Sequence, residues 1–231
     1  MPDIKNIVVL TGAGISAESG IPTFRDNDGL WQKYDFMELA SPRGWAKDYK
    51  LVLEFYNVRR QKVREAKPNA AHLALVELED QYNTVIITQN VDDLHERAGS
   101  KNVLHLHGEI MKSRSTLDEN LVYNLNEKDI YPGDTCELGS QLRPDVVWFG
   151  EPVPMFDEAI RLVKKADIFI VIGSSLQVYP AATLIGYAPE DSIKFIIDKK
   201  IPELGNYKNL EVIEQPAAVG VPELVNKLKQ I

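Results

Sequence analysis

Short apolar runs alternate with longer amphipathic stretches along the chain. Ile7–Leu10, Val85–Ile87, Val146–Phe149, Ile168–Ile172 and Ile193–Ile197 are brief and rich in β-branched residues, as expected of strands buried on both faces of a parallel sheet. Between them lie helical patterns over Asn69–Asp80, entered behind Pro68, and over Phe156–Lys165 and Pro222–Lys229. The alternation predicts an α/β fold: a doubly wound, Rossmann-like parallel sheet with helices on both faces. Two stretches break it. Residues 26–66 carry Trp31, Trp45 and one long helical pattern, and residues 110–145 are polar and turn-rich. They predict a smaller module beside a core of residues 1–25, 67–109 and 146–231. No repeat, low-complexity tract or obvious linker interrupts the pattern.

Composition narrows the class. The 231 residues are 44% hydrophobic, enough for a sizeable core in a soluble protein. No run reaches the roughly 18–20 apolar residues of a membrane helix. Asp3 and Lys5 stand near the start with no long apolar signal core, so a cytoplasmic protein with no membrane partner is expected. A net charge of −8 argues against a nucleic-acid partner and mildly favours basic protein segments. One cysteine, Cys136, excludes an intrachain disulfide and a four-cysteine metal site. Nothing in the pattern specifies an oligomeric state.

Chemistry-bearing segments begin where predicted strands end. Leu10 leads into Thr11-Gly-Ala-Gly-Ile-Ser-Ala-Glu-Ser-Gly-Ile-Pro-Thr-Phe-Arg25, Ile87 into the cluster Thr88–Gly99, and Ile172 into Gly173. In open α/β sheets ligands lie beyond these carboxyl ends. Gly12, Ala13 and Gly14 read as a phosphate cradle, although Ala17 replaces the third glycine of a dinucleotide fingerprint. Gly173, Ser174 and Ser175 suit a ribose or phosphate, and Asp198 a ribose hydroxyl; ordinary turns are the alternative. Gln89, Asn90 and Asp92 are either an Asx-type turn or a site lining. Of His105 and His107, the second is followed by Gly108, which permits close approach of a ligand to an imidazole that can take a proton near neutrality. In the helical pattern of residues 46–66, Leu51, Val52, Phe55, Val58 and Val63 form a stripe, Arg59 projects from within it and Tyr56 borders it. Such an arginine snorkels, pairs with an internal carboxylate or awaits an anionic ligand.

These segments, with Leu106-His-Gly108, Val147-Trp-Phe-Gly-Glu151 and Ile172-Gly-Ser-Ser-Leu-Gln-Val-Tyr-Pro-Ala181, resemble the sirtuins, NAD-dependent protein-lysine deacylases, over nearly the whole chain. The resemblance implies a single catalytic region with NAD as cosubstrate and acylated-lysine proteins or peptides as partners. It implies that Gly12, Ala13, Gly14 and Ser16 cradle NAD, with Gly173, Ser174, Ser175, Asp198, Lys199 and Lys200 further along it and Ala217 at the adenine. Ala13, Ile21, Phe24, Arg25, Asn90 and Asp92 would line the nicotinamide pocket, with Trp31 and Val91 also contacting NAD, Gln89 on the nicotinamide ribose and Phe24 covering the reactive sugar carbon. His107 would be the base, grouped catalytically with Asn90 and Asp92. An extended peptide would lie between Val147–Glu151 and Ser175–Val178, with Val147, Phe149, Gly150 and Glu151 contacting substrate.

Phe55-Tyr-Asn-Val-Arg-Arg60 looks like the bacterial members that accept succinyl and malonyl groups, which implies Tyr56 and Arg59 on the acyl carboxylate, weaker deacetylation, and nicotinamide and O-acyl-ADP-ribose as products. Protein ADP-ribosylation, a nicotinamide-dependent dehydrogenase resting on the loop glycines alone, and a non-catalytic NAD-sensing module are the rival readings. The chain departs from the family at the zinc cysteines: Ser115 replaces the first and only Cys136 remains. No zinc is therefore expected, and Leu117, Leu121, Tyr123 and Tyr131 are expected to hold the small module by apolar contacts.

Overall fold

The computed structural model describes residues 5–23 and 36–230. Nine strands are present among them: β1 (Asn6–Thr11), β2 (Asn83–Thr88), β3 (Val103–His105), β4 (Gly108–Ser115), β5 (Val122–Asn124), β6 (Leu142–Val146), β7 (Ile168–Ile172), β8 (Ile193–Asp198) and β9 (Leu210–Glu214). Six form a parallel sheet in the order β3-β2-β1-β7-β8-β9, and three form an antiparallel sheet in the order β5-β4-β6. The helices are α1 (Phe36–Leu39), α2 (Pro42–Glu65), α3 (Ala70–Leu78), α4 (Leu94–Ala98), α5 (Phe156–Val163) and α6 (Ala217–Leu228).

Alternation within the central strands builds two cores. Ile7, Val9, Ile170, Ile172 and Ile197 face α3 and α6, while Val8, Leu10, Phe169, Val171 and Ile196 face α5 and the 3-10 turn Ala181–Tyr187. A sheet covered on both faces needs such continuous apolar runs. The chain winds outward from β1 through β2 to β3, then from β7 through β8 to β9 on the other side. The winding therefore reverses between β1 and β7, where a doubly wound sheet opens its crevice.

Several expectations need correction. Val146–Phe149 is no strand of the parallel sheet: Val146 ends β6 of the small sheet, and the following residues leave it because Trp148 is drawn into the cluster around Tyr56. The edge strands β3 and β9 were not anticipated, since one is three residues long and the other alternates glutamates with apolar residues. The last helix starts at Ala217, with Pro222 inside it.

Helix α2 begins four residues before the pattern suggested. Ser41 caps it, accepting from the Gly44 amide at 3.0 Å, with Pro42 in the first turn. Asp48 is non-helical, and its carboxylate accepts from the Leu51 amide at 3.1 Å, restarting the helix there. Its buried stripe centres on Val52, Phe55, Tyr56 and Val63; Val58 lies on the exposed flank.

The small module is likewise held differently from expectation. Leu117 and Tyr131 are 69% and 59% exposed, and Tyr123 hydrogen-bonds Glu137. The apolar contact instead comes from Leu53 on α2 against Leu125 and Ile130, flanked by Trp45, Tyr49 and Leu142. Ser115 Oγ, in place of a first zinc thiol, accepts from the Leu117 and Asp118 amides at 3.0 and 3.1 Å and lies 2.8 Å from Ser140 Oγ. The Cys136 thiol donates to Ser115 at 3.3 Å. No helix among the described residues is long and apolar enough to cross a membrane.

Candidate functional site

The crevice is built by two interlocked strand ends. The Gly12 amide donates to the Ile172 carbonyl and the Gly14 amide to the Gly173 carbonyl, both at 2.9 Å. A Cβ on Gly12 would lie 2.7 Å from the Gly173 oxygen, and one on Gly14 would lie 2.6 Å from the Gly173 Cα, so close backbone approach requires both glycines. Gly173 itself sits at φ +60°. The amides of Ala13, Ser174 and Ser175 have no acceptor among the described residues, leaving donors suited to phosphate oxygens.

Polar contacts brace the loop from outside. Asn69, the cap of α3, donates to the Ile15 carbonyl at 2.7 Å and to Ser19 Oγ at 2.9 Å. Glu18 meets the Lys199 ammonium at 3.0 Å and accepts from the Ala218 amide at 3.0 Å. That contact places the start of α6, with buried Ala217, beside the loop. Asp198 accepts from the Lys200 amide at 3.0 Å at the end of β8. Asn69 had no assigned role, although Pro68 before it marked the helix start.

At the end of β2, Ser16, Asn90 and Asp92 converge. Ser16 Oγ donates to Asp92 Oδ2, and Asn90 Nδ2 donates to Ser16 Oγ, each at 3.1 Å. Burial raises the Asp92 pKa, opposed by hydrogen bonds from the Leu94 amide and Ser16. Asn90 is anchored from below: its amide donates to Thr88 Oγ1 at 3.0 Å, and Thr88 accepts from Thr11 at 2.8 Å. Val91 packs against the Tyr56 cluster, and its carbonyl accepts from the Ile110 amide at 2.8 Å.

The two nearby histidines differ. His105 is occupied on both ring nitrogens, by the Asn90 carbonyl at 3.1 Å and the Glu96 carboxylate at 2.8 Å. Burial disfavours its charge, but Glu96 holds its pKa above the ordinary value. His107 directs Nδ1 to the Gln89 carbonyl at 2.9 Å, and burial lowers its pKa despite that bond. Its Nε2 has no hydrogen-bond partner among the described residues. The Gln89 side chain donates to Ser174 Oγ at 2.9 Å and so joins the ends of β2 and β7.

On the module side, Tyr56 and Trp148 are buried together, and the Trp148 indole N–H donates to the Tyr56 hydroxyl at 3.0 Å. The Arg59 guanidinium carbon lies 5.6 and 5.9 Å from the Phe55 and Tyr56 ring centroids. Burial lowers the Arg59 pKa, against the attraction of Tyr56 and Asp92. Burial raises that of Tyr56, which Arg59 opposes. Val147 donates its amide to the His107 carbonyl and Phe149 to the Ala40 carbonyl, each at 2.9 Å. This brings the 147–151 segment beside His107 and under α2.

Glu151 is turned inward. Its carboxylate accepts from Arg143 at 2.6 and 3.1 Å, from Arg114 at 3.2 Å and from the Trp148 amide at 2.8 Å. Gly150 at φ +93° makes the turn, and Phe149 is exposed. Ile21 packs on the Tyr56 cluster, whereas Phe24, Arg25 and Trp31 lie outside the described residues. The Trp148–Tyr56 contact had no local signature, because its partners are far apart in sequence.

The Sir2 family profile matches residues 12–180. A Helicobacter pylori protein named NAD-dependent protein deacylase is 56% identical over 225 residues, covering 97% of this chain and 98% of that protein. A solved Sir2 homologue in complex with NAD superposes with a TM-score of 0.89 at 43% identity, covering 99% of this chain and 91% of that one. A solved Sir2 complex with a p53 peptide and NAD superposes at 0.79 with 31% identity, covering 99% and 95%.

Proposed function

The chain belongs to the Sir2 family and is an NAD-dependent protein deacylase, and from that premise we propose that it prefers succinyl- and malonyl-lysine over acetyl-lysine. The observation that carries the preference is Arg59 one helical turn from Tyr56, with its guanidinium near the Phe55 and Tyr56 rings. A guanidinium beside a phenol offers several donors to an acyl carboxylate, in an environment where water competes weakly. An acetyl group brings no carboxylate to those donors.

The residues present fit NAD. The amides of Ala13, Ser174 and Ser175 are placed for the phosphates, and Gln89 and Asp198 stand at the strand ends for ribose hydroxyls. Ser16, Asn90 and Asp92 form a cluster of mixed donors and acceptors suited to a carboxamide, which needs both. Bound there, NAD would supply a ribose carbon open to the acyl oxygen, with nicotinamide as the leaving group. His107 is the base. With Nδ1 donating to the Gln89 carbonyl, Nε2 carries the lone pair, and burial keeps the ring neutral so that it can take a ribose-hydroxyl proton. The segments Val147–Glu151 and Ser175–Val178 receive the acyl-lysine peptide in extended form.

We also infer that the small module holds its shape without zinc, since the Ser115–Cys136–Ser140 hydrogen bonds join the end of β4 to the 136–140 turn. The preference is tested by mass spectrometry of acetyl-, succinyl- and malonyl-lysine peptides incubated with NAD and either the native protein or Arg59→Met. The expected result is faster loss of the acidic acyl groups, with nicotinamide release, and a fall in that rate of at least tenfold in the variant. Equal rates on all three peptides would sink the preference; mass gain on a protein acceptor would indicate ADP-ribosylation.

A further inference from the structure

We propose that Trp148 is a positioning residue for acyl selection, fixing the direction in which the Tyr56 hydroxyl donates. The proposal rests on the acidic-acyl reading above. A phenol oxygen carries one proton and accepts through its lone pairs, whereas an indole N–H only donates. The Trp148 N–H at 3.0 Å therefore occupies an acceptor site on Tyr56 and turns the phenolic proton away from itself. Among the described residues that bond from Trp148 is the hydroxyl's only hydrogen bond. The Tyr56 proton thus remains available to an incoming acceptor.

The indole is clamped. The Arg143 guanidinium carbon lies 3.3 Å from the Trp148 ring centroid. That guanidinium is held by the Glu151 carboxylate at 2.6 and 3.1 Å and by the Val146 carbonyl at 2.8 Å. The Trp148 amide donates to the same carboxylate at 2.8 Å, so Glu151 holds both the backbone and the stacked face of the tryptophan. Trp45 also packs against it, with a centroid separation of 5.6 Å. A donor whose direction is set before binding loses less rotational freedom when the carboxylate arrives. The segment that borders the peptide path thereby also sets the chemistry of the acyl pocket, which explains why Glu151 turns inward.

The test compares kcat/KM for succinyl- and acetyl-lysine peptides at saturating NAD in the native protein, Trp148→Phe, Tyr56→Phe, the double variant and Arg59→Met. A second replacement at position 148, the isosteric benzothienylalanine with sulfur in place of N–H, preserves shape and covers the case in which phenylalanine disturbs folding. Either replacement is expected to lower the succinyl-to-acetyl ratio about tenfold, through KM for the succinyl peptide. In the Tyr56→Phe background the same replacement should change the ratio less than twofold. Equal losses on both peptides, or effects that add fully to Tyr56→Phe, would overturn the proposal. A preference that Arg59→Met abolishes but both Trp148 replacements retain removes only the role of Trp148. Absence of any succinyl preference in the native protein removes the underlying reading and the proposal with it.

Discussion

His105 and His107, two residues apart, are set to opposite tasks by their neighbours. Glu96 favours a charged His105, which bridges the 88–99 segment to β3, while burial favours a neutral His107 with one nitrogen open. The pH dependence should carry this signature. As the proposed base, His107 must be neutral to act, so kcat/KM should fall as pH drops through an apparent pKa below the ordinary 6.5. His107→Ala should reduce nicotinamide release on a succinyl peptide by about 100-fold or more, while NAD binding, followed by calorimetry, persists. Turnover that survives the substitution would remove His107 from the mechanism. The sequence marked His107 through the adjoining glycine; the reason His105 is excluded, its Glu96 partner, required the folded chain.

At the scale of elements, α3 and α4 meet through two buried histidines whose ring centroids are 4.9 Å apart. His72 closes the capping box of α3, its ring accepting from the Asn69 amide at 3.3 Å, and His95 meets Thr11 Oγ1 at 3.0 Å at the start of the glycine loop. Burial lowers the His72 pKa to about 4 and that of His95 well below its ordinary value. Both are depressed in the folded state, so the unfolded chain binds more protons at acid pH. Their contribution is complete above about pH 6.5 and is lost as pH falls towards 4, with His72 alone accounting for about 3 kcal/mol. Urea midpoints should therefore fall between pH 7 and pH 5, and should fall less in His72→Gln; an equal fall in both proteins would contradict the assignment. The helical pattern of α3 was legible from Pro68 and the apolar spacing, but no local pattern showed that its histidine would meet His95.

For the molecule as a whole, the join between α2 and the 110–145 part of the small module is a polar clamp around a modest apolar contact. Arg60 and Arg64 reach Asp129 at 3.2 and 2.9 Å, and Asn57 bonds both the amide and the carbonyl of Ile130. Arg60 is fully buried and also donates to the Ile110 carbonyl at 2.8 Å and to Asn57. Asp129→Ala leaves that guanidinium without its counter-charge, yet with two neutral partners. A loss of about 2 kcal/mol is expected, or roughly 4–8 °C in Tm, readable by calorimetry; an unchanged Tm would show that the clamp contributes nothing. Prolonged treatment with a strong chelator should leave both Tm and deacylation unchanged, whereas a fall in either would point to a bound metal.

The sequence by itself determined the parallel sheet, the strand ends at which chemistry gathers, and the glycine loop, because burial on both faces and close backbone approach impose local patterns of residue type. It also placed an arginine and a tyrosine one turn apart on a single helix, since helical spacing is a local property. Only the tertiary structure decided that Val146–Phe149 leaves the large sheet, that the Glu151 carboxylate meets Arg143 and Arg114, and that Leu125 and Ile130, not Leu117 and Tyr131, hold the module. It alone brought Trp148 to Tyr56. These outcomes depend on which distant segment reaches a side chain first, and hydrogen bonds spanning 92 residues leave no periodic trace in the chain that makes them.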